Sequence, residues 1–171
     1  MEFTEILEKR FSSRRYIAQP VDDEAIESLL EAIMAAPSGA NLQSYRIFVV
    51  RDEEKRRKLM EASGPQGWMT SAPVFLVFFA DLDQYTSGMG DRLTDIVPTQ
   101  DATIAQAYAQ LAACDLGLGT CWVAPFARDQ VKEILHIEGN LSLTGILTIG
   151  HSSEPVPKRK RRKAWEWSVK V

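Results

Sequence analysis

Two groups of residues in this chain have the types and spacing to do chemistry. Arginines cluster near both ends, as Arg10-Phe11-Ser12-Ser13-Arg14-Arg15 at the front and Lys158-Arg159-Lys160-Arg161-Arg162-Lys163 at the back. Guanidinium forks pair bidentately with phosphate oxygens, and a serine hydroxyl such as that of Ser12 adds a further hydrogen bond. Arg10 and Arg14, with Ser12 between them, therefore suit a phosphate. The second group is the polar loop Pro37-Ser38-Gly39-Ala40-Asn41-Leu42-Gln43. Ser38, Asn41 and Gln43 can donate and accept, and Gly39 lets backbone approach a ligand closely. Asn41 and Gln43 also suit the amide-like edge of a heterocycle. Together the two groups are what a phosphorylated, planar ligand requires.

Each group has a plainer reading beside this one. Cations at a helix end are favoured by its dipole, and Ser, Gly and Asn are ordinary turn residues. The basic run near the back can bind nucleic-acid phosphates by counterion release. It has no aromatics within it, however, and the net charge of −3 divides into +6 over residues 158–171 and −9 over residues 1–157. A basic tail on an acidic body fits an anionic ligand, and no nucleic-acid partner is expected.

The usual catalytic sets are missing: there is no GxSxG, HExxH, GxGxxG or Walker loop. His136 and His151 lack metal-ligand spacing, so no metal is expected. Cys114 and Cys121 form no CxxC pair, which suits a reducing compartment, and a cytoplasmic location is expected. Cys121, beside Trp122, reads as a core residue or as a thiol close to a redox ligand.

The elements that must position these residues follow from periodicity and punctuation. The chain has 171 residues, 45% apolar and 25% charged, the balance of one globular domain. It has no run of roughly 18 apolar residues for a membrane span and no signal-like segment at its front. A short helix is expected over residues 4–11. A second is capped by Asp22, carries Ile26, Leu29, Leu30, Ile33 and Met34 on one face, and is stopped by Pro37. Residues 45–50 and 73–80 read as strands, the second apolar throughout and so buried on both faces. Between them, residues 52–62 form a charged helix. Residues 81–100 read as an irregular excursion, and about Gly64–Pro98 is the segment available to cover a substrate, with Trp68, Tyr85 and Met89 as candidate contacts or packing residues.

Residues 101–116 form a helix that is small or apolar nearly all round, so it is buried in the core or between subunits. Residues 120–123 read as a short strand or extended loop and residues 143–149 as a strand, with a brief helix at 129–135. From about residue 153 to 171 the chain is an extended basic tail, one that wraps over another surface.

Read together, four stretches resemble the nitroreductase family of flavin mononucleotide (FMN) enzymes. They are Arg10-Phe11-Ser12-Ser13-Arg14-Arg15-Tyr16, Ala36-Pro37-Ser38-Gly39-Ala40-Asn41-Leu42-Gln43, Gly117-Leu118-Gly119-Thr120-Cys121-Trp122, and Ile149-Gly150 followed by the basic tail. The resemblance implies an α+β fold with a central, mainly antiparallel sheet flanked by helices, in an intertwined homodimer with FMN at the interface. Arg10, Ser12 and Arg14 would bind the phosphate and ribityl chain, with Lys160 and Arg162 closing on the same phosphate. Pro37, Ser38, Gly39, Asn41 and Gln43 would come from the other subunit, and Trp122 would lie by the flavin ring.

It also implies NAD(P)H as electron donor and no catalytic side chain, because hydride passes through N5 of the flavin. The acceptor would be a nitroaromatic, quinone-like or related small molecule. The alternatives are a specialised flavin reaction (dehalogenation, flavin fragmentation, dehydrogenation) or a flavin- or nucleic-acid-binding protein without turnover. Ser44-Tyr45, Ala124 and Ala164 depart from the family's usual residues.

Overall fold

A computed structural model describes residues 1–64, 66–94, 96–124, 126–169 and 171. Among them, four strands form one antiparallel sheet in the order β1-β2-β4-β3, with β1 at Tyr45–Val50, β2 at Val74–Asp81, β3 at Gly119–Val123 and β4 at Leu141–Gly150. Six helices surround it: α1 (Phe3–Lys9), α2 (Asp23–Met34), α3 (Glu53–Ala62), α4 (Leu82–Met89), α5 (Val97–Asp115) and α6 (Arg128–Leu135). The expected class, a mainly antiparallel sheet flanked by helices, is what the chain forms.

β2 is buried along its whole length because it lies between two cores. Alternate strand residues point to opposite faces. Phe75, Val77 and Phe79 therefore pack with Leu59, Val131 and Tyr16 on one side. Val74, Leu76 and Phe78 pack with Leu29, Ile33, Ala105 and Ala109 on the other.

α2 starts where Asp22 accepts a hydrogen bond from the Ala25 backbone N–H at 2.7 Å. Ile26, Leu29 and Ile33 face the core, whereas Met34, at the helix end, is 71% exposed.

α5 rests on the sheet through Ala102, Ala105, Ala109 and Ala113, all fully buried. Alanine brings a helix axis close to a sheet without holding rotamers in place. The opposite stripe, Ile104, Ala107, Tyr108 and Leu111, is only partly covered. The sequence reading of a helix buried all round is thus met on one side only within a single chain.

The excursion expected at 81–100 is largely helical. Asp81 caps α4 by accepting from the Gln84 N–H at 3.0 Å, and α5 begins four residues before the expected start, with Pro98 in its first turn. Proline there is pre-set for helix and lacks only an N–H that would be unpaired anyway. Tyr85 is 4% exposed and belongs to the packing, while Met89 lies at the surface. Pro65 and Asp95, within the expected covering segment, lie outside the described residues, as does Pro125 beside Ala124. Among the described residues no helix is long and apolar enough to cross a membrane.

Candidate functional site

The chain leaves α1 at Arg10 in extended conformation and runs along the free edge of β3. Ser12 makes a parallel bridge to Thr120, and the Ser13 N–H donates to the Thr120 carbonyl at 2.8 Å. Tyr16 bridges Ser152 just beyond β4. Gly119 is the point of closest approach: a Cβ there would stand 2.7 Å from the Ser152 Cβ and 3.1 Å from that of Ser13.

Glu154 locks the crossing. Its Oε2 accepts from the Arg14 N–H at 2.5 Å, the Arg15 N–H at 3.0 Å and the Ser13 hydroxyl at 3.0 Å. The front and back of the chain are therefore joined immediately before the basic tail begins. The Arg14 N–H bond, helped by those of Ser13 and Arg15, holds the Glu154 carboxyl below the usual carboxylate range.

Stability from a lowered carboxyl is present above its unfolded pKa and is lost as pH falls through the folded one. Glu154→Gln is therefore expected to lower the urea midpoint at neutral pH, and the gap from the unsubstituted protein should narrow as pH falls below the usual carboxylate range. A gap that stays constant with pH would remove Glu154 from this role.

Beyond that lock the tail returns to Arg10. A cavity of about 450 Å³ lies between α1 and the tail, lined by Arg10, Phe11, Val156, Arg159 and Arg161, with Glu8 also on its wall. The Arg10 guanidinium is pushed below its ordinary pKa first by burial and then by Arg161 and Arg159. No salt bridge to these three arginines is found among the described residues. Three guanidinium groups sharing one cavity are held together at a Coulombic cost that a bound anion reverses.

The cations of the tail take different places. Arg159 and Arg161 face Arg10, whereas Arg162 donates to the Glu166 carbonyl at 2.6 Å and lies 3.8 Å from that residue's carboxylate. Lys158 also lines the cavity, and Lys160, exposed like Arg159 and Arg161, does not.

Arg14 and Ser12 lie one step along the same edge. Arg14 stacks over the half-buried Trp68 ring, 5.6 Å from its centroid. Burial pushes the Cys121 thiol up, with Arg14, Ser12 and Arg159 acting against it, so those three groups surround the start of β3. Trp122 itself packs its side chain into the core beneath α2 and α5.

The loop at 37–43 is a separate, preformed structure. Gly39–Asn41 make one 3-10 turn, and Ala40, Asn41 and Gln43 all have left-handed backbone, with φ of 50°, 58° and 49°. Such geometry costs about 1–2 kcal/mol per non-glycine residue and needs outside support. Ser38 Oγ accepts from the Gln43 N–H at 3.0 Å, and the Gln43 Nε2 donates to the Asn41 carbonyl at 2.6 Å. Gly39 sits against α5: its N–H donates to Asp101 Oδ1 at 2.9 Å, and a Cβ would meet Val97 Cγ1 at 2.6 Å. Pro37, Asn41 and Gln43 are exposed.

In one chain the two groups are far apart. The loop is anchored at Asp101, in the second turn of α5, whereas Arg10 lies near Cys114 at its other end. Thirteen helical residues separate these points, roughly 20 Å at 1.5 Å per residue. Arg159, Arg161, Asp101 and Glu154 are not among the residues singled out from the sequence. The available signals were the i, i+2 spacing of the two arginines and an acid near the start of an alanine-rich helix.

Comparison with known proteins agrees with this architecture. The chain is 32% identical over 163 residues to an FMN reductase (NAD(P)H) of Bacillus subtilis, covering 88% of this chain and 66% of that protein. It thus spans about two thirds of that relative's length. It is 29% identical to an NADH dehydrogenase of Thermus thermophilus, with 85% of this chain and 84% of that one covered. Among solved structures, NfrA2 of B. megaterium superposes with a TM-score of 0.87 at 30% identity over 95% of this chain and 70% of that one. The NADPH:FMN oxidoreductase of Vibrio harveyi, solved with NAD+, gives 0.88 at 28% over 98% and 76%. The sequence profile of the nitroreductase family matches residues 7–66 and 59–151, and the chain belongs to that family.

Proposed function

We propose that the chain is an FMN-dependent oxidoreductase that works as a homodimer, takes electrons from NAD(P)H and reduces a nitroaromatic, quinone-like or related small molecule. The observation that carries this reading is the placement of the two ligand-type groups at opposite ends of α5. Two copies related by a two-fold axis, with their α5 helices antiparallel, would set the 37–43 loop of one beside the Arg10 cluster of the other. The partly covered stripe of Ile104, Ala107, Tyr108 and Leu111 is the apolar face such a pairing needs.

The residues present fit FMN. Arg10, Arg159 and Arg161 would hold its phosphate, and their shared cavity contains the charge such a group requires. Ser12 adds a hydroxyl beside them. Arg14, kept in place by Trp68, supplies a fixed positive charge, and a cation held over an aromatic face loses little order on binding. The Trp68 ring would also form a flat wall for a planar acceptor. The strained loop of the second copy would offer Ser38, Asn41 and Gln43 to the rest of the cofactor, already in position and excluding water. When bound, FMN supplies the two-electron chemistry that links donor to acceptor, which is why no acid, base or nucleophile is required of the protein. The names of the relatives, FMN reductase and NADPH-flavin oxidoreductase among them, support the donor and cofactor. Two free cysteines, Cys114 and Cys121, agree with a cytoplasmic setting.

The test is direct. Purified protein should be yellow, release FMN on denaturation, and oxidise NADH or NADPH when a quinone is added. Colourless protein that binds no added FMN would defeat the reading.

A further inference from the structure

We propose that Asp101 is the positioning residue that holds the 37–43 loop in its ligand-ready shape. The inference rests on the cofactor-binding role proposed for that loop. Asp101 is 2% exposed, and its carboxylate reaches out of α5 to accept from the Gly39 N–H at 2.9 Å, across 62 residues of sequence. Its second oxygen, Oδ2, is buried with no hydrogen-bond partner among the described residues. Tyr45, whose hydroxyl is pushed up by burial and by this carboxylate, donates instead to the Ile33 carbonyl at 3.3 Å. No cation pairs with Asp101 among the described residues either.

A buried carboxylate with half its capacity unused is costly to keep, and removing one partner of a buried polar pair usually costs more than the pair contributes. Among the described residues the one hydrogen bond to that carboxylate comes from the loop. What lies beyond that bond is the segment with three left-handed, non-glycine residues, the sort of strain that persists only when its surroundings over-determine it. Gly39 is pinned against one face of α5, by Asp101 and by Val97 a turn before it, where a Cβ has no room. The charged acceptor makes the stronger bond that this requires. Because α5 also carries the stripe proposed to meet the second copy, the same helix would set both the pairing of subunits and the loop that one offers to the other.

The test uses Asp101→Asn and Asp101→Ala in the full chain. Three quantities are measured: FMN dissociation constants by fluorescence titration of the apoprotein, hydrogen exchange of the Gly39 amide, and the melting temperature. Alanine should raise the dissociation constant tenfold or more, and Gly39 protection should fall with it. The near-isosteric asparagine keeps an acceptor and should restore part of both. The melting temperature should hold in the asparagine variant, which keeps the acceptor for Gly39 and removes an underused buried charge, and should fall in the alanine variant, where the Gly39 N–H loses its partner.

Dissociation constants within twofold of the unsubstituted protein in both variants would overturn the inference. So would weaker binding with Gly39 protection intact, or a melting temperature that falls as far in the asparagine variant as in the alanine one. If the unsubstituted protein binds no FMN, the proposed function fails, yet loss of Gly39 protection would still establish Asp101 as the anchor and its retention would still overturn it.

Discussion

Converting Arg159 and Arg161 together to alanine is expected to strip FMN from the protein. Each guanidinium would make a charged hydrogen bond worth about 1.5–3 kcal/mol, so the pair accounts for about 3–6 kcal/mol, or roughly a hundredfold to ten-thousandfold in dissociation constant. The loss should be smaller at high salt, where the charge of the remaining cations is screened. Converting Lys160 and Arg162 instead should have a smaller effect, because Arg162 is committed to Glu166 and Lys160 does not line the cavity that holds Arg10. The two double variants, titrated with FMN side by side, decide which register of the tail reaches Arg10. Equal losses would refute the assignment of Arg159 and Arg161 to the phosphate.

Leu111→Glu is expected to abolish both dimer and cofactor. Leu111 lies on the partly covered stripe of α5, and a two-fold axis would bring the introduced carboxylate into the contact from both copies. An unpaired charge in such a place costs several kcal/mol, and symmetry applies the cost twice. Sedimentation should show a monomer, and the protein should be colourless, since on the proposed pairing the site is completed only by the second copy. A monomer that binds FMN as tightly as the unsubstituted protein would place the whole site in one chain and defeat the proposal.

The legible parts of the fold were those written in local patterns. The face of Ile26, Leu29 and Ile33 and the cap at Asp22 located α2, and the unbroken apolar run of β2 announced a strand covered on both sides. β1 spans the residues expected of it. α4 was less visible: eight residues with Gly88 among them carry a weak periodic signal, and the helix is completed by the Asp81 cap and by packing of Gly88 against Leu42. The two ligand-type groups were readable from residue type alone, because phosphate and heterocycle recognition needs those side chains wherever the chain places them.

By itself, then, the sequence determined the family, the class of fold and the chemistry on offer: guanidinium groups at both ends, a polar loop between apolar segments, and one helix of small residues. Tertiary structure alone decided which of those groups meet. It brings Arg159 and Arg161 to Arg10, joins front to back through Glu154, and pins Gly39 to Asp101 while holding that loop a helix length from the arginines. The physical reason is range. Periodicity, caps and turn residues act over a few positions, whereas these contacts close loops of 62 residues or more and depend on the side to which each backbone presents its side chains.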